Sequence, residues 1–519
     1  MKRHRVRGIG SWTLAIALLL GGAWGTGIQP ACAQAPPAPV RGGTLRIGFL
    51  PGTKTLDPHL SVQWPERFIL YVVFNTLVGL DSNFNVVPEL ARSWQVSPDG
   101  KKITFQLQRG VKFHDGTDFN AEAVKWNIER ILDPKTKSPQ RSQLDMVERV
   151  VVVDPHAVAV ELKRPFAPLL GVLAERPGFI VSPAAVQKSG EDFGRKPVGT
   201  GPFRFVEWAG ESHVTVERFG GYWEPGKPYL DKITYRVVPD PTVRTTMVRT
   251  GEVDIATDVD AKDVPALSQE PGIMVSELKP PARWTSLQWR VDSPPFNNKA
   301  LRQAIALAID RTELRDIYLR GFGESARGPV VPGLWWHDPT LKGYGTDLEL
   351  AKRKLAEAGY PNGFRHKFTV ANTPQEVRYT ELLQEQLKKV NVTLELELVN
   401  PADRYALVIQ KKVNWTHSNW TQRADPNGLL YILFHSKGFA NTTGYSNPKV
   451  DELLDRAAGI FDPERRKPLY HEAERHIVDD APYVYLNYTA DFAVMSRKLH
   501  NWRWVPDLVP RFRDLWLEK

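Results

Sequence analysis

Residues 367–398 constrain the fold more than any other stretch. Lys367, Phe368, Thr369 and Val370 read as a strand, Thr373 as a helix N-cap and Pro374 as the first helical position, where a missing N–H costs nothing. The helix is expected to run to Lys389. Val392, Leu394, Leu396 and Leu398 then alternate with polar residues, as a half-buried strand does. Strand, helix and strand in that order make a βαβ unit, whose two strands pair in parallel beneath the helix. The expected fold class is therefore α/β, with mixed sheets flanked by helices.

Other segments agree. Residues 44–50 place Leu45, Ile47 and Phe49 on one face, and two apolar runs within 149–163 flank Asp154-Pro155-His156 as a strand hairpin. Asn120 is placed to cap a helix with Val124, Ile128, Ile131 and Leu132 on one side. A further helix is expected over 298–320, stopping at Gly321. A length of 519 residues exceeds what one core organises, so two or three domains are expected.

The first 33 residues read differently. Lys2, Arg3, Arg5 and Arg7 form a basic start, residues 12–24 an apolar run, and Ala31-Cys32-Ala33 a small-residue cleavage site, the pattern of an export signal peptide. The apolar run is shorter than the about 20 residues of a spanning helix; an N-terminal anchor is the alternative. Residues 34–42 form a Pro/Ala-rich spacer. Losing the four basic residues takes the net charge from +9 to +5, and Lys and Arg are dispersed, so no nucleic-acid footprint is visible. The single cysteine, Cys32, falls inside the signal, which excludes disulfides and thiolate chemistry from the mature chain. Lipid attachment at Cys32 stays open.

Catalytic and metal patterns do not assemble. His471 and His476 are five apart, about 140° around a helix, whereas a zinc helix needs four. No G-x-S-x-G elbow exists, and Ser276/Lys279 and Ser446/Lys449 lack the partner motifs of serine acyl-enzymes. Asp254, Asp258, Asp260 and Asp263 lack the glycine and terminal glutamate of a calcium loop. Pro202 after Gly199-Thr200-Gly201 argues for a tight turn over a phosphate cradle. No catalytic residue, metal ligand or cofactor is expected.

Aromatic residues are the remaining signal. Two of the 16 tryptophans fall in the signal; the others include Trp335-Trp336, Trp415 with Trp420, and Trp502 with Trp504. A rigid indole face holds an amphipathic ligand at low entropic cost. Trp415 and Trp420 are the favoured ligand contacts, because polar residues surround them and a core strand would not be so polar.

The order of blocks resembles the large extracytoplasmic solute-binding proteins of ABC importers, solute-binding family 5, which includes oligopeptide-, dipeptide- and nickel-binding proteins. The most specific stretch runs from Val87-Pro88-Glu89-Leu90-Ala91 through Ser93-Trp94, Asp99-Gly100 and Thr104-Phe105 to Gly110-Val111-Lys112-Phe113-His114-Asp115-Gly116. Leu56-Asp57-Pro58, Gly199-Thr200-Gly201-Pro202-Phe203, Pro294-Pro295-Phe296, Gly359-Tyr360-Pro361, Asp425-Pro426 and Ala481-Pro482 follow in order. The resemblance implies a two-lobed periplasmic-binding-protein clamp, with lobe I over 43–80, 200–284 and 490–519, an inserted subdomain over 81–199, and lobe II over 285–489. It also implies periplasmic location, hinge closure on a solute and delivery to a permease with its ATPase subunits. His114-Asp115 is expected to be structural, and the protein a monomer.

In peptide-binding relatives the segment matching Trp420-Thr421-Gln422-Arg423 ends in an aspartate that meets the ligand's α-amino group. Here Arg423 stands in that place and invites a carboxylate or phosphate. Asp425 is expected either to take the amine or to neutralise Arg423. Family position adds Gln63, Trp64 and Trp284 as ligand-lining. The expected ligand is a peptide or peptide-like solute with an acidic group. An oligosaccharide, an opine or a nickel chelate at His417 are the alternatives, and an exported hydrolase a remote one.

Overall fold

In the computed structural model, residues 38–519 are described; the expected signal with its Cys32 and the first residues of the expected spacer lie outside them. A seven-stranded sheet runs in the order Ile273–Glu277, Phe492–Ser496, Ile255–Thr257, Thr44–Phe49, Lys232–Val237, His213–Arg218, Phe203–Ala209. Thr44–Phe49 is parallel to both of its neighbours, and the remaining pairs are antiparallel. Leu45, Ile47 and Phe49 are all buried, as their alternation requires.

A six-stranded sheet follows the order Glu324–Ser325, Tyr483–Thr489, Arg283–Trp289, Trp415–Thr421, Phe364–Ala371, Val392–Val399. Phe364–Ala371 and Val392–Val399 are parallel, joined by the helix Pro374–Lys388. Thr373 caps that helix by accepting the Glu376 amide, with Pro374 in its first turn. The βαβ reading thus holds at residue level.

The helix expected over 298–320 is instead two, Lys299–Ala308 and Arg311–Tyr318. Asp310 is the cause: its Oδ1 accepts the amides of Thr312 and Glu313 at 2.9 and 3.0 Å, which starts a new helix, while Ile309 turns extended. Arg311 then donates to the carbonyls of Ala306 and Ile309, both at 3.1 Å, satisfying acceptors at the break.

A third, antiparallel sheet (Ala91–Val96, Lys102–Leu107, Ala157–Leu162, Val147–Asp154) lies between the first-sheet strands in sequence and packs under the helix Ala121–Leu132, capped by Asn120. His114 and Asp115 tie this region down. His114 Nε2 meets the Gly201 carbonyl at 2.9 Å and burial pushes its pKa down to about 4; Asp115 accepts from Ser182. The glycines at 199 and 201 are required by space, since a Cβ there would stand 2.2 and 2.4 Å from the Val73 and Val72 carbonyls.

The chain passes between the two large sheets twice, over 278–282 and 490–491. The crossings are adjacent, with the Leu278 amide donating to the Asp491 carbonyl at 2.8 Å. Two short neighbouring connections form the hinge geometry of a clamp.

Candidate functional site

Beside these crossings lies a cavity of about 390 Å³. Leu50 and Asp258 line it, each directly following a parallel strand of the first sheet. Open α/β sheets hold ligands in this crevice beyond the carboxyl ends of their strands. The hinge end adds Arg283, Asp491 and Phe492, the second sheet adds Asn419, Trp420 and Thr421 with Arg423 two residues past the strand, the antiparallel region adds Arg176, and the C-terminal segment adds Trp504 and Leu508.

Arginines dominate its polar lining. Arg67 is buried and matched, its Nη2 meeting Asp507 Oδ2 at 2.8 Å. Arg283 pairs closely with Asp491. Arg176 has no carboxylate within ion-pair distance among the described residues: Nε donates to Ser61 Oγ at 3.1 Å and Nη2 to the Gln63 carbonyl at 2.7 Å. Burial, together with the positive charges of Arg67 and Arg423, pulls its pKa down to about 10. Arg423 donates to Thr421 Oγ1 at 2.5 Å, while its Nε stands 3.8 Å from Glu175, beyond hydrogen-bond reach. The cavity therefore holds two guanidiniums that repel one another, neither hydrogen-bonded to a carboxylate and only Arg423 with one, Glu175, at the outer edge of ion-pair range, a setting that attracts a planar anion.

Aromatic walls complete the space. Trp64 packs edge-on against Phe68 with centroids 4.9 Å apart, and Trp504 donates to Ser276 Oγ at 3.0 Å. Trp420 is partly exposed at the cavity edge. Trp420→Ala is expected to abolish the tryptophan fluorescence change on ligand binding while leaving the far-UV spectrum unchanged; a collapsed spectrum would make Trp420 a core residue instead.

Of the expected ligand residues, the cavity brings together Trp64, Trp420, Thr421 and Arg423. Four others need correction. Trp415 is fully buried in an aromatic cluster with Trp289, Phe296 and Phe368. Its strand tolerates polar residues because they are satisfied internally: Thr416 donates to the Thr369 carbonyl at 2.6 Å, and His417 meets Thr380 Oγ1 at 2.8 Å. His417, with a pKa pushed by burial down to about 3, does not line the cavity. Trp284 is also fully buried, edge-on to Tyr483 and Tyr485, and the neighbouring Arg283 lines the cavity in its place. Gln63 contributes only its carbonyl, which orients Arg176. Asp425 pairs with neither ligand space nor Arg423. Its two oxygens grip Arg466 at 2.7 and 2.8 Å.

Sequence reading missed Arg67, Arg176, Arg283, Asp258 and Asp491. Arg283 is one residue from a named position, and the two-residue period of a strand decides which neighbour faces ligand. Arg176 lies far from every named segment and had no local signal.

Two mixed sheets, joined by paired crossings beside a charged and aromatic cavity, define a two-lobed solute-binding protein. The profile of the bacterial extracellular solute-binding proteins, family 5 Middle, matches residues 85–441, and the chain belongs to this family. It is 30% identical over 507 residues to the glutathione-binding protein GsiB of Pectobacterium atrosepticum, covering 94% of this chain and 96% of that one. GsiB of Escherichia coli strain K12 is 31% identical over 471 residues, covering 89% and 92%. Among solved structures, the ABC transporter-associated periplasmic binding protein DppA of Helicobacter pylori, in complex with peptide STSA, matches with a TM-score of 0.84 at 27% identity, covering 92% of this chain and 99% of that one. AgaA of A. tumefaciens R10, in complex with agropinic acid, matches with a TM-score of 0.81 at 27% identity and the same coverage, 92% and 99%. No helix of the described residues is long and apolar enough to cross a membrane.

Proposed function

We propose that this protein is the solute-binding component of an ABC importer, exported to the periplasm by residues 1–33, that captures small peptides bearing an acidic group and delivers them to a permease with its ATPase subunits. The observation carrying the acidic specificity is the pair Arg176 and Arg423, which lines the cavity with no carboxylate hydrogen-bonded to either. Relatives named for glutathione, itself an acidic peptide, support the same ligand class. The residues proposed to meet ligand are Trp64, Arg176, Trp420, Thr421 and Arg423, and the protein acts as a monomer.

The test is mass spectrometry of what co-purifies with the exported protein, followed by thermal shifts with glutathione, neutral dipeptides, oligosaccharides, opines and nickel chelates. A true ligand at about 100 times its Kd stabilises the folded state by about 2.7 kcal/mol. Stabilisation by glutathione or other acidic peptides is expected. An oligosaccharide or nickel chelate as the sole stabiliser would overturn the peptide assignment, and an opine would keep the anion subsite but move the chain to the ligand class of AgaA.

A further inference from the structure

The arginine pair accounts for only part of the charge in the cavity. A second group stands at the hinge, where Thr257 ends a parallel strand of the first sheet, Asp258 follows it and Asp491 occupies the return crossing. Asp491 is 9% exposed. Its Oδ1 is taken by Arg283, but its Oδ2 is buried and has no hydrogen-bond partner among the described residues. A carboxylate oxygen in that position is costly unless something brings it a donor. Asp258, beside it, is 4.0 Å from Arg283 and 3.6 Å from Arg244, too far for a hydrogen bond to either. Arg283 thus serves two carboxylates and makes close contact with one. Arg244 turns Nη1 to the carbonyls of Val238 and Pro239 and Nη2 to the Asp258 carbonyl, leaving the Asp258 carboxylate at ion-pair distance only.

We propose that Asp258 and the free oxygen of Asp491 form an ammonium subsite, so that the cavity selects a zwitterion, with its carboxylate at Arg176 and Arg423 and its amine at the hinge. Phe492 and Trp504 line the same space, and aromatic rings attract a cation more than an anion. The two charged groups are separate, since Asp491 pairs closely with Arg283, and neither Asp258 nor Asp491 lies within ion-pair distance of Arg176 or Arg423 among the described residues. The burial of Asp491 and the negative charge of Asp258 raise the Asp491 pKa to about 6, against the pull of Arg283, which marks the group as short of positive charge. A cation binding across both lobes at the crossings would also draw them together, coupling amine recognition to closure.

This inference rests on the peptide reading of the cavity, and its test separates the two. A pool of tri- and tetrapeptides containing Glu or Asp, with no Lys or Arg, is offered to the mature protein in two forms, free-amine and N-acetylated, together with free and N-acetylated glutathione. Acetylation removes the ammonium and leaves every carboxylate. Mass spectrometry of the retained fraction is expected to show at least about ten-fold preference for the free-amine form, the size of one charge-assisted hydrogen bond. Asp258→Asn, at a half-exposed side chain, and Asp491→Asn are each expected to cut that preference to within about two-fold. Equal retention of both forms by the unaltered protein would overturn the ammonium subsite alone. Retention of neither form would overturn the peptide reading and the subsite with it.

Discussion

Replacing Asp425 by alanine is expected to destabilise the folded protein by about 3–5 kcal/mol, because it strands a buried guanidinium. The Asp425 and Arg466 side chains are only 12% and 5% exposed and meet in a two-point ion pair. Arg466 also donates to the Ala457 carbonyl at 3.1 Å and to Tyr470 Oη at 2.6 Å, and lies over the rings of Trp335 and Tyr470. Burial alone would lower its pKa, yet Asp425 and Tyr470 outweigh burial and raise it. The charge is thus held in place by its partner and has no route to water. Denaturant unfolding followed by circular dichroism measures the loss. The double variant Asp425→Leu with Arg466→Met is expected to recover most of it, since removing both charges leaves nothing uncompensated. A loss below about 1 kcal/mol in the single variant would show that the pair is solvated, and would return Asp425 to the list of groups free to meet ligand.

The contrast between Asp425 and Trp420 marks what the sequence made legible. Local signals carried the fold. Thr373-Pro374 started its helix where cap chemistry requires, and Leu45, Ile47 and Phe49 turned inward together. The one misread helix failed for a local reason too: Asp310 competes as a cap in the middle of an apolar period, and two caps make two helices. The site was less legible because its residues converge from distant segments. Trp420, Thr421 and Arg423 share one strand end and were found together. Arg176 reaches them from more than two hundred positions upstream, through a carbonyl of residue 63. Pairings of Asp425 were equally invisible: Arg466 is 41 residues away in sequence, and only the packing of its helix shows that it takes the carboxylate from Arg423. Polarity also misled around Trp415, because a strand can be polar and buried when each hydroxyl and imidazole has an internal partner.

Arg176→Met is expected to move affinity and stability in opposite directions, which a merely structural arginine would not do. For affinity, the lost charge-assisted hydrogen bonds to a ligand carboxylate cost about 1.5–3 kcal/mol, a weakening of roughly ten- to a hundred-fold for an acidic peptide. Arg423→Ala is expected to weaken binding on the same scale. For stability, the sign follows from the pKa. Arg176 is a base whose pKa falls from the usual guanidinium range in the unfolded chain to about 10 in the folded one, through burial and then the charges of Arg67 and Arg423. At pH 7 it is protonated in both states, but the folded state holds that proton less tightly, so the charge opposes folding in full below about pH 10, and the penalty shrinks only as pH rises from there toward the ordinary guanidinium range. Methionine keeps much of the side-chain volume and removes the charge, so the ligand-free variant is expected to be more stable than the unaltered protein by roughly 1–2 kcal/mol. Titration calorimetry and denaturant unfolding read the two effects separately. Lower stability with unchanged affinity would mean that Arg176 serves only to tie Ser61 and Gln63 to the antiparallel region; weaker binding with higher stability identifies a charge the fold tolerates because the ligand neutralises it.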